Sequence, residues 1–389
     1  MRLTVNTVSL VRRLAPAVTC SCLMVSAAHA TNLQPEPVRV ETLAAKPSPH
    51  WVWVSDMAFM HLPDGRAYLV DGDQGQMLGL LSTGYNFVSV LPAHDGSVIY
   101  SPETYFSRGA RGTRTDVVTL YDPAKLEPLG EIEIPAKRAS ALPMLSQASL
   151  TDDDRFLLIY NFTPAQSTTV VDTKSRKFVG EVDTAGCALL FPTGPRDFFS
   201  LCADGGVLSV TLDDNGNAAK LTHSKPLFDR DKDPITEKAV RLGDTWYFTS
   251  YESNIYPFKT GAKGTTVGKR WSLVTGEERA AGWRTGGLQQ LALHRATQRL
   301  YAIMHQGPLS THKDPGNAVW VYDVTTGKRV QTIALKNVAS SIQLSQDDQP
   351  LLYAVFMGSA TLDIYDGLKG DYLRSVGDLA STPMLLVTP

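Results

Sequence analysis

One short pattern of apolar and polar positions recurs along the chain. In its clearest copy, Val321 and Tyr322 lead into Asp323, a polar turn contains Gly327, and a second apolar run begins at Val330. Similar phrases lie at residues 69–75, 120–123, 170–177 and 364–367. An apolar run that ends in an Asp/Gly turn and is followed by another apolar run is typical of a β-hairpin. A hairpin repeated along a chain predicts a radial β architecture.

Longer units can be built around this hairpin. Six of them begin with strands that start at Phe87, Ala148, Ala188, Lys238, Leu288 and Ser341. Two fragments remain, namely three strands within residues 51–81 and one strand at residues 383–387, and each fragment supplies what the other lacks. Together they complete a seventh unit, which closes the ring and removes exposed sheet edges. We therefore predict an all-β, seven-bladed β-propeller over residues 51–389. A β-sandwich array and a six- or eight-bladed ring are the alternatives.

Two local details follow from the same patterns. The apolar run 87–91 predicts the first strand of the second blade, and residues 282–287 read as a turn-rich loop that opens the sixth. Just before this loop, residues Glu277 to Ala280 favour one helical turn.

The first thirty residues have the character of a cleavable export signal. Arg2, Arg12 and Arg13 precede an apolar stretch, and Ala28-His29-Ala30 offers a small-residue cleavage site. An uncleaved anchor is the alternative, although the apolar stretch is short for a membrane span. Residues 31–50 are polar and proline-rich, which predicts an extended N-terminal arm that could clasp a partner.

The composition is that of an ordinary soluble globular protein. Of 389 residues, 43% are hydrophobic and 20% are charged, and the formal net charge is −2. Without the three arginines of residues 1–30 the charge becomes −5, because 34 basic side chains remain against 39 acidic ones. A mildly acidic chain without a basic run is a poor candidate for binding nucleic acid or an anionic membrane.

Two cysteines, Cys187 and Cys202, lie beyond the predicted signal. In an exported protein an isolated pair is best interpreted as a disulfide, and a metal site or a redox pair is the alternative. In the predicted blade, Cys187 precedes the first strand and Cys202 ends the second. Neighbouring antiparallel strands would bring the two positions together.

A search for catalytic motifs finds almost nothing. There is no phosphate-binding glycine loop, no G-x-S-x-G, no H-E-x-x-H, and no histidine pair at metal-ligand spacing on one element. His305 and His312 lie in a long loop where they could meet a ligand, and Asp152 to Asp154 read as a hairpin turn rather than a calcium loop. We therefore predict no catalytic residue and no metal site in this chain, which points to a scaffold or an accessory subunit.

Two loops are too elaborate to be simple connections. Residues 100–116 combine Tyr105 and Phe106 with three arginines, Arg108, Arg111 and Arg114, and these residue types are enriched at the centres of protein interfaces. The second loop is Tyr85-Asn86-Phe87, at the step into the second blade. Ordinary loop packing is the alternative for both.

Three segments resemble a known family. Residues 105–116, 278–290 and 345–354 resemble phrases in the heavy chains of quinoprotein amine dehydrogenases, including the F-S-R, A-R-G and R-T-D elements of the first segment. The similarity extends over essentially the whole chain after the signal, and the cysteine pair matches the heavy-chain disulfide of that family. Within the family, the chain is most similar to the heavy subunit of aromatic amine (aralkylamine) dehydrogenase, and the sister enzyme methylamine dehydrogenase is the alternative.

The resemblance implies a function for the complex rather than for this chain alone. It implies an α2β2 assembly in the periplasm of a Gram-negative bacterium, in which a small, cysteine-rich light subunit carries tryptophan tryptophylquinone. That subunit would oxidise a primary amine to an aldehyde and ammonia, and electrons would pass to a blue copper protein such as azurin. A stand-alone propeller lactonase and a periplasmic scaffold protein are alternatives from other classes.

The resemblance also suggests roles for the two loops. In methylamine dehydrogenases a heavy-chain Phe borders the substrate channel, and Tyr85 occupies the corresponding place here. We therefore expect Tyr85, Asn86 and Phe87 to form the heavy-chain wall of that channel. We expect the light-subunit interface to include Tyr105, Phe106, Arg108, Arg111, Arg114 and Trp283.

Overall fold

A computed structural model describes residues 41–261 and 264–389 of the chain. The predicted signal, 1–30, and the first ten residues of the predicted arm lie outside the described residues. The described chain begins with three antiparallel strands, β1 (Trp51–Asp56), β2 (Gly65–Asp71) and β3 (Gln76–Gly84). A 3-10 turn, Leu62–Asp64, precedes β2.

Six further sheets follow in chain order, and each forms one blade. Blade 2 contains β4 (Leu91–Pro92), β5 (Ile99–Phe106), β6 (Arg114–Tyr121) and β7 (Pro128–Ile134). After the 3-10 turn Leu145–Gln147, blade 3 contains β8 (Ala148–Leu150), β9 (Phe156–Asn161), β10 (Ser167–Asp172) and β11 (Lys177–Asp183). Blade 4 contains β12 (Cys187–Pro192), β13 (Asp197–Cys202), β14 (Val207–Leu212) and β15 (Ala218–His223).

The remaining blades include some shorter strands. Blade 5 contains β16 (Val240–Leu242), β17 (Thr245–Thr249), β18 (Asn254–Gly261), β19 (Gly264–Val267) and β20 (Trp271–Ser272). After helix α1 (Gly276–Ala280), blade 6 contains β21 (Trp283–Thr285), β22 (Leu291–His294), β23 (Arg299–Gln306), β24 (Gly316–Asp323) and β25 (Arg329–Ala339). Blade 7 contains β26 (Ser341–Leu344), β27 (Leu351–Val355), β28 (Leu362–Asp366) and β29 (Tyr372–Val376), and the last strand is β30 (Pro383–Val387).

The last strand closes the ring. β30 pairs antiparallel with β1, with Val54 opposite Leu386 and Ser55 opposite Leu385. Blade 1 therefore has the order β3-β2-β1-β30, and the described residues form seven sheets. The prediction of a seven-bladed propeller closed by a composite blade is confirmed.

The recurring phrase of the sequence is the outer hairpin of a blade. In five of these hairpins an Asp side chain at the end of the third strand accepts a hydrogen bond from a backbone N–H of the turn; these residues are Asp71, Asp122, Asp172, Asp323 and Asp366. The residue four positions later has a positive φ, and it is Gly75, Leu126, Arg176, Gly327 or Gly370. Glycine adopts this conformation without strain, so the phrase encodes a turn rather than a ligand site.

Two strand predictions need correction. Of the predicted strand 87–91 only Leu91 is in a strand, β4, because Phe87 and Val88 pack into two apolar clusters instead. The predicted loop 282–287 contains β21, which pairs with the last residues of β23, so that Trp283 lies opposite Gln306. The helical turn is confirmed as α1, whose N-terminal Thr275 and Glu278 form a reciprocal capping box.

The blades are held together by apolar side chains between adjacent sheets. The largest cluster joins blades 3, 4 and 5, and within it Phe191, Phe199, Phe248 and Phe258 are at most 1% exposed. Phe191 contacts Phe248 with ring centroids 5.0 Å apart, and Phe248 contacts Phe258 at 4.8 Å.

Cys187 and Cys202 face each other across β12 and β13, and the predicted disulfide between them is present. No helix in the described residues is long and apolar enough to cross a membrane.

The described part of the N-terminal arm packs on the chain itself. The amide of Leu43 donates to the carbonyl of Ala124 in blade 2. The ring of His50 links two blades, because Nδ1 lies 2.7 Å from Asp73 of blade 1 and Nε2 lies 3.0 Å from Asp347 of blade 7. The arm therefore braces the closed ring beside the composite blade.

The pKa of His50 gives this brace a pH dependence. Burial alone would lower the pKa, but the hydrogen bonds and charges of Asp73 and Asp347 raise it above its ordinary value. A raised folded-state pKa contributes stability that is fully present below about pH 6.5 and is lost as the pH rises through the folded value. We expect the difference in free energy of unfolding between the native chain and His50→Gln to be larger at pH 6 than at pH 9.

Urea unfolding at both pH values would measure this difference. The control is His61→Gln, since His61 is exposed in the loop between β1 and β2 and is not one of the residues of this brace. A difference for His50→Gln that grows from pH 6 to pH 9 would contradict the expectation.

Candidate functional site

The two ends of the propeller differ in the loops they carry. The connections between the second and third strands of each blade and the connections between blades lie at one end, which we call the upper end. The Asp turns lie at the opposite, lower end. All of the loops that the sequence singled out, residues 85–87, 107–113 and the region of Trp283, belong to the upper end. The candidate site is therefore an end face of the disc.

The most elaborate upper loop connects β5 and β6. Its ends are tied by Ser107, whose amide donates to the carbonyl of Thr113 at 3.0 Å, and by Arg108, whose amide donates to the carbonyl of Arg111 at 2.9 Å. Gly112 has φ +103, and a Cβ there would lie 2.3 Å from the Ser107 hydroxyl. The glycine allows the tip to fold back on itself while the side chains of Arg108 and Arg111 remain exposed.

The third arginine of this loop points inward. Arg114 donates from Nε and Nη2 to the two carboxylate oxygens of Asp116, at 2.8 and 2.7 Å. Asp116 is fully buried. It also accepts from the hydroxyl of Thr104 at 2.7 Å and from the amide of Arg138 at 3.2 Å. Arg114 therefore holds the base of the hairpin, and of the three arginines Arg108 and Arg111 remain available to a partner.

Tyr85 lies against this hairpin. Its amide donates to the carbonyl of Thr104 at 3.2 Å, and its carbonyl accepts from the guanidinium of Arg138. Its half-buried ring meets the ring of Phe106 edge to face, with centroids 5.4 Å apart. The ring pair Tyr85–Phe106 therefore lies at the upper end, where both rings are partly exposed.

The other two residues of the predicted wall are buried within this chain. Asn86 is 5% exposed and donates to the hydroxyl of Ser101 at 3.1 Å. Phe87 is 7% exposed and packs with Met57, Met384 and Leu385. Of the predicted wall residues, Tyr85 alone is positioned to contact a bound molecule, and Asn86 and Phe87 support it.

Trp283 lies elsewhere on the upper end. It belongs to blade 6, where its half-buried ring packs on Trp320 with centroids 5.0 Å apart. The structure therefore brings together Tyr85, Tyr105, Phe106 and Arg114 around one blade junction, and it does not bring Trp283 to them.

A buried carboxylate supports Tyr105 from below. Glu103 is fully buried and accepts hydrogen bonds from the hydroxyls of Tyr105 at 2.6 Å, Thr119 at 2.7 Å and Tyr121 at 3.1 Å. Burial raises the pKa of Glu103, although these three hydroxyls oppose the shift. Burial and the neighbouring Glu103 raise the pKa of Tyr105 as well. Tyr105 remains 41% exposed, so its ring faces outward while its hydroxyl is anchored.

The upper end also exposes apolar side chains that the sequence pattern did not identify. We call Phe59, Met60, Leu142 and Phe162 the upper patch. Their exposed fractions are 46%, 96%, 56% and 60%. They lie on upper-end loops of the adjacent blades 1, 2 and 3. Large exposed apolar side chains gathered on one face are typical of a protein–protein interface.

The central channel is the second place where a ligand could bind. It is a cavity of about 400 Å³ lined by the inner strands of all seven blades. Among the described residues that line it, the one acidic side chain is that of Glu237, whose carboxylate lies 2.6 Å from Nζ of Lys238. Burial would raise the pKa of Glu237, but the charge of Lys238 holds it below the ordinary value. The channel therefore lacks, in its described lining, the converging acidic and Asn ligands that a metal-dependent lactonase would need.

One cluster of potential metal ligands occurs in the described residues. The Sγ atoms of Cys187 and Cys202 and a ring nitrogen of His223 lie within 4.8 Å of one another. Both sulfurs are joined in the disulfide, so neither is a thiolate that could bind a metal.

Comparison with known proteins identifies the family. The family described as methylamine dehydrogenase heavy chain (MADH) matches residues 49–389. The chain belongs to the methylamine dehydrogenase heavy chain family. The methylamine dehydrogenase heavy chain of Paracoccus versutus is 34% identical over 355 residues, which cover 91% of this chain and 82% of the relative. That of Methylophilus methylotrophus is 33% identical over 339 residues, which cover 86% and 82%.

Solved structures agree with the fold. A putative 6-phosphogluconolactonase from Bacteroides uniformis superposes with a TM-score of 0.59 over 90% of this chain and 100% of its own, at 12% identity. A protein of unknown function from Desulfotomaculum acetoxidans superposes with a TM-score of 0.58 at 13% identity, over 87% of this chain and 98% of its own. At such low identity the likeness shows the propeller alone and gives no support to a lactonase activity.

The expectation of a heavy chain in this enzyme family is confirmed, and its members are parts of an oxidoreductase complex. The residues missed by sequence reasoning are Arg138, Glu103 and the upper patch. The sequence signal for Glu103 was its place next to Tyr105 in an elaborate loop. Arg138 gave no comparable signal, because its partners come from other parts of the chain.

Proposed function

We propose that this chain is the heavy subunit of an exported, tryptophan tryptophylquinone-dependent amine dehydrogenase in the periplasm of a Gram-negative bacterium. The family membership and the upper patch support the proposal. The cofactor would lie on a small light subunit, and it would supply the electron sink for oxidation of a primary amine to an aldehyde and ammonia. The heavy subunit would bind the light subunit in an α2β2 complex and border the substrate route. A blue copper protein such as azurin would accept the electrons.

The upper patch is the observation that carries the docking role. Met60 and Phe162 would lose most of their exposed apolar surface on contact with a partner, and burial of such surface is favourable by about 25 cal/mol per Å². Arg108 and Arg111 are exposed on the upper loop of blade 2 and would supply polar contacts at the rim of the interface. The light subunit would therefore dock on the upper end, over blades 1 to 3.

Two classes of amine are candidates for the substrate. Methylamine is the first, because the curated relatives are named for it. An aromatic amine is the second, because Tyr85 and Phe106 form an aromatic pair at the upper end that could contact a substrate ring edge to face. The two classes differ in size, so the width of the route at Tyr85 would decide between them.

Purification of the native complex tests the proposal. We expect this chain to copurify with a second, small subunit that absorbs visible light as a quinone, and the absorbance should bleach when a primary amine is added. Reduced azurin should accumulate when azurin and amine are both present. A purified chain that is monomeric and has no such absorbance would overturn the proposal.

Tyr85→Ala tests the role of the wall. Because removal of the ring widens the route at one point, we expect the ratio of kcat/KM for benzylamine to that for methylamine to change by roughly fivefold or more. The control is Tyr372→Ala, which removes a ring that is 41% exposed on the outer strand of blade 7. Equal ratios in the native enzyme and in Tyr85→Ala would show that Tyr85 does not border the route.

A further inference from the structure

Arg138 is a charged side chain that is almost completely buried beside the candidate site. It is 2% exposed, and burial lowers its pKa to about 10, so its guanidinium remains protonated at neutral pH. A buried cation is unfavourable unless its hydrogen bonds are satisfied and its charge is compensated. The side chain is therefore held at this position by specific partners.

Those partners come from two other loops of the upper end. Nε of Arg138 donates to the hydroxyl of Thr104 at 2.8 Å, and Nη2 donates to the carbonyl of Tyr85. Asp116 compensates the charge through the Arg138 amide and through Thr104. Arg114 adds a contact at 2.7 Å from its Nη2 to the Arg138 carbonyl. The guanidinium of Arg138 thus joins the loop after blade 2 to the β5–β6 hairpin and to Tyr85.

Tyr85 is the residue that these contacts fix. Its carbonyl is bound by Arg138 and its amide by Thr104, so its backbone is held on both sides. Gly84 allows this close approach, because a Cβ at its positive φ would lie 2.9 Å from the ring of Tyr105. The part of Tyr85 that remains free is its ring, which leans on Phe106. Arg138 is too deeply buried to contact a substrate itself.

We infer that Arg138 is a positioning residue, which fixes the backbone of Tyr85, places its ring at the wall of the substrate route and thereby sets the preference among primary amines. The preference among amines rests on the proposed function, whereas the fixing of Tyr85 does not. Arg138→Met removes the donors and the charge but keeps much of the apolar volume. Arg138→Lys keeps the charge and one donor group, which can reach the Tyr85 carbonyl or the Thr104 hydroxyl.

Hydrogen exchange of the full heavy chain tests the fixing of Tyr85. In Arg138→Met we expect the amides of residues 85–87 to exchange about tenfold faster or more, because the loop loses its tie to Arg138. Arg138→Lys should restore slow exchange in part. The control is Lys137→Met, which removes a neighbouring side chain that is 38% exposed and pairs with Glu181. Unchanged exchange at residues 85–87 in a folded Arg138→Met chain would overturn the inference.

Kinetics of the complex with its light subunit test the preference among amines. We expect Arg138→Met to change the benzylamine-to-methylamine ratio of kcat/KM in the same direction as Tyr85→Ala, by about threefold or more, mainly through KM. Arg138→Lys should return the ratio toward that of the native enzyme. A merely structural role would lower both rates equally and leave the ratio unchanged, and that result would overturn the assigned preference. A native complex that oxidises no primary amine would instead overturn the proposed function, and the exchange experiment would still decide whether Arg138 fixes Tyr85.

Discussion

Replacement of Asp56 by alanine should lower the free energy of unfolding by about 2–4 kcal/mol, because three backbone amides would together lose the buried carboxylate that accepts from them. Asp56 ends β1, is 3% exposed and lies beside the closing strand β30. Its carboxylate accepts from the amides of Ser381 at 2.8 Å and Thr382 at 2.9 Å, and from the amide of Ala58 at 2.8 Å. One side chain therefore ties the beginning of the propeller to a segment 325 residues away. Chemical denaturation followed by intrinsic fluorescence would measure the loss.

Asp56→Asn separates charge from shape. Burial would raise the pKa of Asp56, but the hydrogen bonds from Ser381, Ala58 and Thr382 hold it below the ordinary value. A lowered folded-state pKa contributes stability that is present above about pH 4 and is lost as the pH falls through the folded value. The free energies of unfolding of the native chain and Asp56→Asn should therefore differ most near neutral pH and converge as the pH falls below the folded-state pKa of Asp56.

A turn aspartate provides the matched comparison. Asp323→Ala removes a carboxylate that accepts from the amide of Thr326 at 2.7 Å, but this turn is at the surface, where water can replace the acceptor. The expected loss in the free energy of unfolding is therefore much smaller than that of Asp56→Ala. Equal losses for Asp56→Ala and Asp323→Ala would show that Asp56 has no special part in closing the ring.

The fold was predictable because its signals are local. The alternation of a strand, and an aspartate four positions before a residue with positive φ, are each encoded within ten residues. The two incomplete units at the ends of the propeller sequence had complementary strands, which predicted that they form one blade. The failure at residues 87–90 has a physical reason. Phe87 and Val88 are buried as a strand would be, but they pack with side chains of other blades at the upper end, and hydrophobicity alone does not separate the two cases.

The site was harder to predict because it depends on distant contacts. Arg138 reaches partners that are 22, 34 and 53 residues away, namely Asp116, Thr104 and Tyr85. The sequence marks Arg114 as one of three loop arginines, and only the buried Asp116 distinguishes it from exposed Arg108 and Arg111. The arginines and aromatic residues of a loop predict that it can bind a partner. Their burial in the folded structure then determines which of these side chains remain exposed to make the contact.

Phe162→Ser should weaken the association of this chain with its light subunit by roughly 100-fold or more, if Phe162 lies at the centre of the interface. Phe162 is 60% exposed on the upper loop of blade 3, although exposure of an apolar side chain to water is unfavourable. The same blade provides a matched control, because Phe178 is 37% exposed on the outer strand β11. Both substitutions remove an exposed phenylalanine, and they differ in the face of the propeller from which it is removed. Titration of the light subunit onto the immobilised heavy chain, with thermal unfolding as a check on folding, would compare them. If Phe178→Ser weakened association as much as Phe162→Ser, or if neither did, the light subunit would not dock on the upper end over blade 3.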